Sequence, residues 1–442
     1  MKGVFRFIYQ CHKWFGIPLA LMFIMWYCSG IVMLYHDFPR LMPSNRPVEN
    51  VDRGELERLW AELPDTLRGC RITFSGNRIQ IMAGDDTYGF YHPDIQALRE
   101  IAKSYGTGIQ RIDTLDDIDK WTPFNRLMVH LPIYKVVGDD DSFTYVSSQT
   151  GEVIQRNTLS GRRWAWIGAL PHYVYITSIR RDVDLWRKVV IWMSGLSTIS
   201  VIMGLVIAVR FLVKRRKLRI FKKRSWQWHY SWGLFFGLFM LAFIFSGMMS
   251  LADIPDWIMK NRALSERPSM SVAKTDIALE SLPDKFGIAS LSVNPQMMWT
   301  VNSGEKKGIC PASKDGRLNF SSDFMVPVIE RQTGEKVTEV SRVKEDVFYH
   351  ADGVEGWKAE TEHFTAYWNG DGYFRILDTK SKAHYICYRF LHTMQIPGLC
   401  EVKWLHTLFM WVLLLGGLMI VGTGAVLSVR TVWKSSRKEK KD

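Results

Sequence analysis

What this chain lacks excludes several common chemistries at once. Six cysteines are present but no two stand as C-x-x-C, so the usual thiol-redox and zinc-ribbon spacings are missing. No G-x-G-x-x-G with a following acidic residue comes after a predicted strand, and no dinucleotide-binding unit is expected. Acidic residues are absent from 210–224 (RFLVKRRKLRIFKKR), which holds nine basic ones. Charge of either sign is absent from residues 14–34, 189–209, 230–251 and 404–429. Each of these runs reaches the roughly 20 residues that a helix needs to cross a hydrocarbon core, which predicts four transmembrane helices. The first run is too long for a secretion-signal core and has no small-residue cleavage pattern behind it, so it is expected to stay as an anchor.

Lys and Arg near the ends of spans remain on the cytoplasmic side. Lys2, Arg6 and Lys13 flank the first run, the basic loop joins the second to the third, and the tail from Arg430 adds six more basic residues. Both termini and the central loop are therefore expected in the cytoplasm. The net charge of +13 is concentrated in these places, so it reads as topology; lipid is the expected surround, and no nucleic-acid partner is expected. The predicted layout is 1–35 N-terminus and first helix, 36–185 first outer lobe, 186–213 second helix, 214–225 basic loop, 226–251 third helix, 252–403 second outer lobe, 404–429 fourth helix and 430–442 tail. The lobes read as small α+β modules: 94–103 as an amphipathic helix, 142–156 and 324–340 as hairpins around a QTGE turn. Cys70, Cys310, Cys387 and Cys400 fall in the lobes, where an oxidising compartment permits disulfides with three pairings open.

The opening helix is written twice. HKWFGIPLALMFIMWYCSGIVML begins at His12 and HYSWGLFFGLFMLAFIFSGMMSL at His229, aligning Gly16 with Gly233, Ser29 with Ser246 and Gly30 with Gly247 without a gap. Further on, DVDLWRKVVIW (182–192) matches EVKWLHTLFMW (401–411), and each is preceded by another histidine, His172 or His392. Both halves start and end inside, so two parallel repeats about an axis along the membrane normal are expected, bringing His12 opposite His229 and His172 opposite His392.

Ligating residues at membrane depth cost energy and are there for a task. Two neutral imidazoles from facing helices suit haem iron, so these four histidines are the expected axial ligands of two b-type haems. Gly16 and Gly233 lie one turn beyond their histidines, either admitting a flat macrocycle or packing helices closely, as Gly30 and Gly247 are read. Arg180, Arg181 and Arg389 are candidate propionate partners. Zinc would need Cys, Asp or Glu clustered with these histidines, which the sequence does not offer. His406 is a rival ligand, but its repeat equivalent is Arg187, so an interface role is expected. His36 closes the first helix roughly 36 Å from His12, too far to share a haem with it. His92, His130, His350, His363 and His384 read as structural or solvent-facing. Trp14, Trp186, Trp226, Trp228, Trp257 and Trp404 cluster at span ends as an aromatic belt would.

With these motifs the chain resembles the PepSY-associated transmembrane family, and within it the di-haem inner-membrane siderophore reductases. The resemblance rests on H-x-W-x-G with a later S-G (His12, Trp14, Gly16, Ser29, Gly30), its second copy (His229, Gly233, Ser246, Gly247), HYVY-x4-RR-x4-LW from His172 to Trp186, and R-x-LH-x4-PG (Arg389, His392, Pro397, Gly398). It covers all four spans and the adjoining lobe segments, and is weak over the rest of both lobes. The family pattern often has a proline and Trp-Asp where this chain has Lys403-Trp404-Leu405-His406. The resemblance implies PepSY-like periplasmic lobes and electron transfer across the inner membrane to a ferric siderophore, releasing Fe(II). A quinol or a cytoplasmic reductase would be the donor, and no catalytic residue is singled out. The competing expectations are a quinol-linked cytochrome b feeding another periplasmic acceptor, and a haem-free module that binds a periplasmic peptidase or assists metal uptake.

Overall fold

The computed structural model describes residues 2–89, 93–260, 262–265, 271–293, 296–319, 321–349, 354–369 and 374–439; His92 and His350 lie outside them. The chain divides into two compact units. Met1–Phe38, Arg163–Ile258 and Ala383–Asp442 form one, and Pro39–Arg162 with Met259–Lys382 forms the other.

The first unit carries four helices long and apolar enough to cross a membrane, Gly3–Met33, Val183–Arg215, Arg224–Met249 and Lys403–Thr431. This is a membrane protein by the length and composition of those helices. The second starts where the Asp182 carboxylate accepts from the backbone N–H of Asp184 and Leu185 at 3.0 and 2.9 Å, satisfying donors that the first turn leaves free. It ends on Arg216 in the left-handed region, φ 51°. The first and third helices each pack against the second and the fourth. Phe23, Tyr27, Met240, Phe243, Met410 and Leu413 fill the core between them. Gly416 and Gly417 let the fourth helix close onto the rings of Phe236 and Tyr27, the small-residue approach that membrane helices use.

The second unit is built from sheet. Its largest sheet has six strands in the order Lys306–Pro311, Met298–Ser303, Ile288–Ser292, Gly69–Ser75, Arg78–Ala83, Asp86–Tyr88. Three come from each of the two stretches expected as separate lobes, and the seam is antiparallel, with Ala289 opposite Ile72 and Leu291 opposite Cys70. The lobes are thus joined through one sheet, because Ile72, Ile81, Phe286, Ala289 and Trp299 bury their side chains in one shared core. Each stretch then adds a helix and a four-stranded antiparallel sheet. The first has Ile95–Ser104 with strands from Ile109–Leu115 to Val153–Asn157; the second has Ser322–Thr333 with strands from Glu339–Val343 to Phe374–Asp378.

The helix expected at 94–103 forms as Ile95–Ser104, capped by Asp94 accepting from Ala97 N–H at 2.8 Å. The hairpin expected at 142–156 also forms, as Phe143–Ser147 and Val153–Asn157. The one expected at 324–340 does not: Ser322–Thr333 is a helix. Met325, Ile329 and Gln332 are its buried residues, spaced for one helical face, and that face outweighs the β-branched character of Val326 and Val328. All six cysteines are free. Two strands separate Cys70 from Cys310 in the shared sheet, and burial pushes the Cys70 thiol up to about 12.

One buried carboxylate ties the sheet unit together. Glu152, 4% exposed at its side chain, accepts from Arg46, 12% exposed, and Arg71, 40% exposed, at 2.9 Å each. Glu152→Leu leaves the Arg46 guanidinium without a counter-charge and with the Val153 carbonyl at 3.1 Å, and is expected to cost about 3 kcal/mol, the low end for breaking a buried pair because Arg71 reaches solvent. Urea unfolding of the full-length protein measures it; a loss under about 1 kcal/mol would show that the pair carries little.

Candidate functional site

Four histidines converge in the helical unit as two pairs. The ring centres of His12 and His229 are 6.2 Å apart with the planes 33° apart. Those of His172 and His392 are 6.1 Å apart at 64°. His12 and His229 project from the first and third long helices, whereas His172 and His392 come from short segments, Ala169–His172 and a π-helical turn at Cys387–His392. Both segments reverse through a non-glycine residue in the left-handed region two positions after the histidine: Val174 at φ 52° and Met394 at φ 49°. Both are buried. A β-branched residue there is costly, and such strain persists where the surroundings over-determine it, commonly at functional sites.

Every Nδ1 is engaged. His12 Nδ1 donates to the Ser200 carbonyl at 2.9 Å and His229 Nδ1 to the Ile420 carbonyl at 3.1 Å. His392 Nδ1 donates to the Phe243 carbonyl at 3.1 Å, with Ser246 Oγ at 3.2 Å. His172 Nδ1 meets Ser29 Oγ at 3.1 Å while that hydroxyl donates to the Trp26 carbonyl, so here too the imidazole is the donor. A carbonyl cannot donate, so the proton is fixed on Nδ1 and the lone pair on Nε2. Among the described residues no Nε2 of the four has a hydrogen-bond partner. Metal-bound histidines are typically held this way, with the second nitrogen donating to a carbonyl or hydroxyl.

Each imidazole also lies against a glycine of a neighbouring helix. A Cβ on Gly204 would stand 2.8 Å from His12 Cε1, and one on Gly424 3.1 Å from His229 Cε1. The corresponding distances are 3.8 Å from Gly30 to His172 and 3.4 Å from Gly247 to His392. At Gly30 and Gly247 a Cβ would stand in ordinary contact with its imidazole, so the tight approach of ring to glycine belongs to Gly204 and Gly424. Gly204 and Gly424 escaped the sequence reading, because their match appears only once each is paired with its histidine.

Gly16 and Gly233 differ. A Cβ at either meets nothing within 4 Å, and both line the cavity that holds His12 and His229. Close helix packing is not what these two glycines serve; they face open space.

The other candidates separate clearly. Arg180 is buried, its guanidinium 4.5 Å from the Trp186 ring and 5.3 Å from that of Tyr175, and its Nε and Nη1 have no hydrogen-bond partner. Two unmet cationic donors in an apolar setting call for an anion. Arg389 bonds the Tyr385 hydroxyl, and Arg181 is exposed. His406 Nε2 bonds the Thr393 carbonyl at 2.9 Å, as Trp186 Nε1 bonds the Tyr173 carbonyl at 2.9 Å. Each pins the residue that follows His392 or His172, so the geometry gives His406 a supporting part. His36 stacks on Trp164 at 4.2 Å, away from either pair.

Two imidazoles gripping one iron from opposite sides through Nε2 would hold their ring centres roughly 6.3 Å apart, from bonds of about 2.0 Å and about 1.15 Å from nitrogen to ring centre. Both pairs have that spacing. Among the described residues no group of three or more His, Cys, Asp or Glu could hold a metal ion, so the donor set is two nitrogens per site. A metal whose remaining ligands come from a planar macrocycle fits such a set; a four-ligand protein zinc site does not.

No curated protein matches the chain. The family model described as PepSY-associated TM region matches residues 9–287, more than half of its length. The chain belongs to the PepSY-associated TM region family.

Proposed function

We propose that this protein is a di-haem oxidoreductase of the inner membrane, moving electrons outward to reduce ferric siderophores in the periplasm and release Fe(II). The observation that carries it is the equal spacing of the two histidine pairs with all four Nδ1 atoms bonded and, among the described residues, all four Nε2 atoms free of partners. Haem b, when bound, supplies a one-electron carrier at each pair. The chain's own part is to fix the tautomer and angle of each imidazole through Ser200, Ile420, Ser29 and Phe243. Gly16 and Gly233 leave space beside the first pair, and the Arg180 cation stands ready for a propionate at the second.

The matched contacts support reading the two halves as parallel repeats. His12 and His229 both hold a carbonyl of the following long helix, and His172 and His392 both touch the serine of an S-G pair. Lysine and arginine at the termini and in 210–224 favour placing those parts in the cytoplasm and the sheet unit in the periplasm. The His12 and His229 pair then lies near the inner face and the His172 and His392 pair near the outer. Each ferric siderophore takes one electron and leaves as Fe(II) and free chelator.

An absorption spectrum of the detergent-purified protein, oxidised and reduced, tests the reading together with Fe(II) capture by a coloured chelator when a ferric siderophore is added. The expected result is two b-type haems per chain and loss of their reduced bands as Fe(II) appears. A colourless protein would remove the electron-carrier reading in favour of a haem-free module, and haem bands that ignore ferric chelates would move the acceptor elsewhere.

A further inference from the structure

The His12 and His229 cavity has an aromatic annex that the electron-carrier reading leaves unused. Phe5, Arg6, Tyr9, Phe211, Phe221 and Trp226 line a cleft of about 320 Å³. Tyr9, Phe211, Phe221 and Trp226 also line the cavity of the histidine pair, so cleft and cavity share walls. The rings brace one another: Phe5 meets Phe211 edge-on at 6.1 Å, Phe211 meets Phe221 at 5.5 Å, and Phe221 meets Trp226 at 6.1 Å. Neither Arg6 nor the Tyr9 hydroxyl has a hydrogen-bond or ion-pair partner among the described residues.

We infer that this cleft binds the head group of a membrane quinol, the donor of electrons to the adjoining histidine pair. The inference rests on the haem reading above and adds to it the class of donor. Five aromatic walls suit a flat, uncharged ring, since offset and edge contacts between rings add attraction beyond the area they bury. Arg6 and Tyr9 provide the hydrogen-bond donors that two ring oxygens require. A nucleotide would need its phosphates met, yet Arg6 is the one cation lining the cleft and Lys13 the one lining the cavity, while Arg210 lies over the Phe5 ring at 4.1 Å and lines neither. Phe5, Arg6 and Tyr9 also belong to a membrane-length helix, within reach of a ligand dissolved in lipid. One quinol, losing two electrons and two protons to become the quinone, balances the reduction of two ferric chelates; the protons go to water at that end of the bundle.

The test uses the full-length protein in lipid nanodiscs and a ubiquinone carrying a decyl tail, with binding measured by calorimetry. One saturable site per chain is expected. Arg6→Gln and Trp226→Leu should each weaken binding at least roughly tenfold, and Arg6→Lys should keep part of it. Arg6 is exposed and lines the cleft but not the histidine cavity, so haem content and reduction by dithionite should not change in Arg6→Gln. Equal affinity in the parent and both variants, or no saturable binding, overturns the inference. So does a reduced flavin nucleotide binding where the quinone does not. A haem-loaded protein without quinone binding rejects this site and leaves the haem reading standing. A colourless protein whose quinone binding Arg6→Gln abolishes keeps the site and rejects the haem.

Discussion

Replacing His12 and His229 together by alanine is expected to remove about half of the haem from the purified protein, and replacing His172 and His392 the other half. The expectation follows from the donor geometry. Within each pair the two Nε2 atoms are the ligating atoms on offer, and no third His, Cys, Asp or Glu stands by among the described residues to take over. The pairs should act independently. Ser29, whose hydroxyl meets His172 Nδ1 at 3.1 Å, lies 17 residues after His12 on the same helix, or roughly 26 Å at the rise of an α-helix. Pyridine haemochrome counting against protein concentration gives the stoichiometry of each double variant. Single variants at Ser29 or Ser246 are the milder companions, because they remove the hydroxyl beside Nδ1 and leave the ligand in place; a loss of up to about tenfold in haem affinity is the size expected for such a support. If either double variant kept both haems, these residues would not be the ligands and the electron path would have to be redrawn.

The helical unit was legible because duplication is a signal that a single sequence can carry. His12 and His229, or Ser29 and Ser246, are each unremarkable alone and become informative by alignment. The repeat also implied which histidine should face which, and the ring distances of 6.2 and 6.1 Å bring those same residues together. The left-handed Val174 and Met394 were not readable, since no residue preference marks a β-branched or long side chain as the one that must turn. The sheet unit shows the limit of local pattern more sharply. QTGE occurs at 149–152 and again at 332–335. In the first copy Gly151, at φ 69°, closes a tight turn with its N–H on the Ser147 carbonyl at 2.8 Å. In the second Gly334, at φ 70°, ends a helix with its N–H on the Glu330 carbonyl at 2.8 Å. One left-handed glycine serves both ends, so the four letters locate a reversal without saying what precedes it. That the two lobe stretches share a six-stranded sheet was likewise invisible, because Ile288 and Thr73, paired across the seam, stand 215 residues apart in sequence and leave no local mark of their pairing.

Gly16→Leu with Gly233→Leu is expected to leave the protein folded and to strip haem from the His12 and His229 site, taking total haem toward half. These two glycines stand apart from the others around the histidines. At Gly204 an added methyl would strike His12 at 2.8 Å, so a variant there disturbs the imidazole itself and cannot separate packing from ligand space. At Gly16 and Gly233 nothing lies within 4 Å of the new Cβ, so the first carbon added meets no protein atom there, the cavity lies beside it, and leucine is the better helix former by about 1 kcal/mol. A bound macrocycle lying in the cavity beside those glycines would object, since filled space admits extra methylenes only at a cost of about 1–3 kcal/mol. The two measurements, thermal midpoint and haem content, therefore answer different questions. An unchanged midpoint with haem lost places a flat ligand against the two glycines. Because haem loss alone lowers the midpoint of a loaded protein, the midpoints are compared on the haem-free forms; a lowered one there would mean that the glycines pack protein after all, and a leucine pair that retains all its haem would mean that the ring lies elsewhere, whatever the histidines bind.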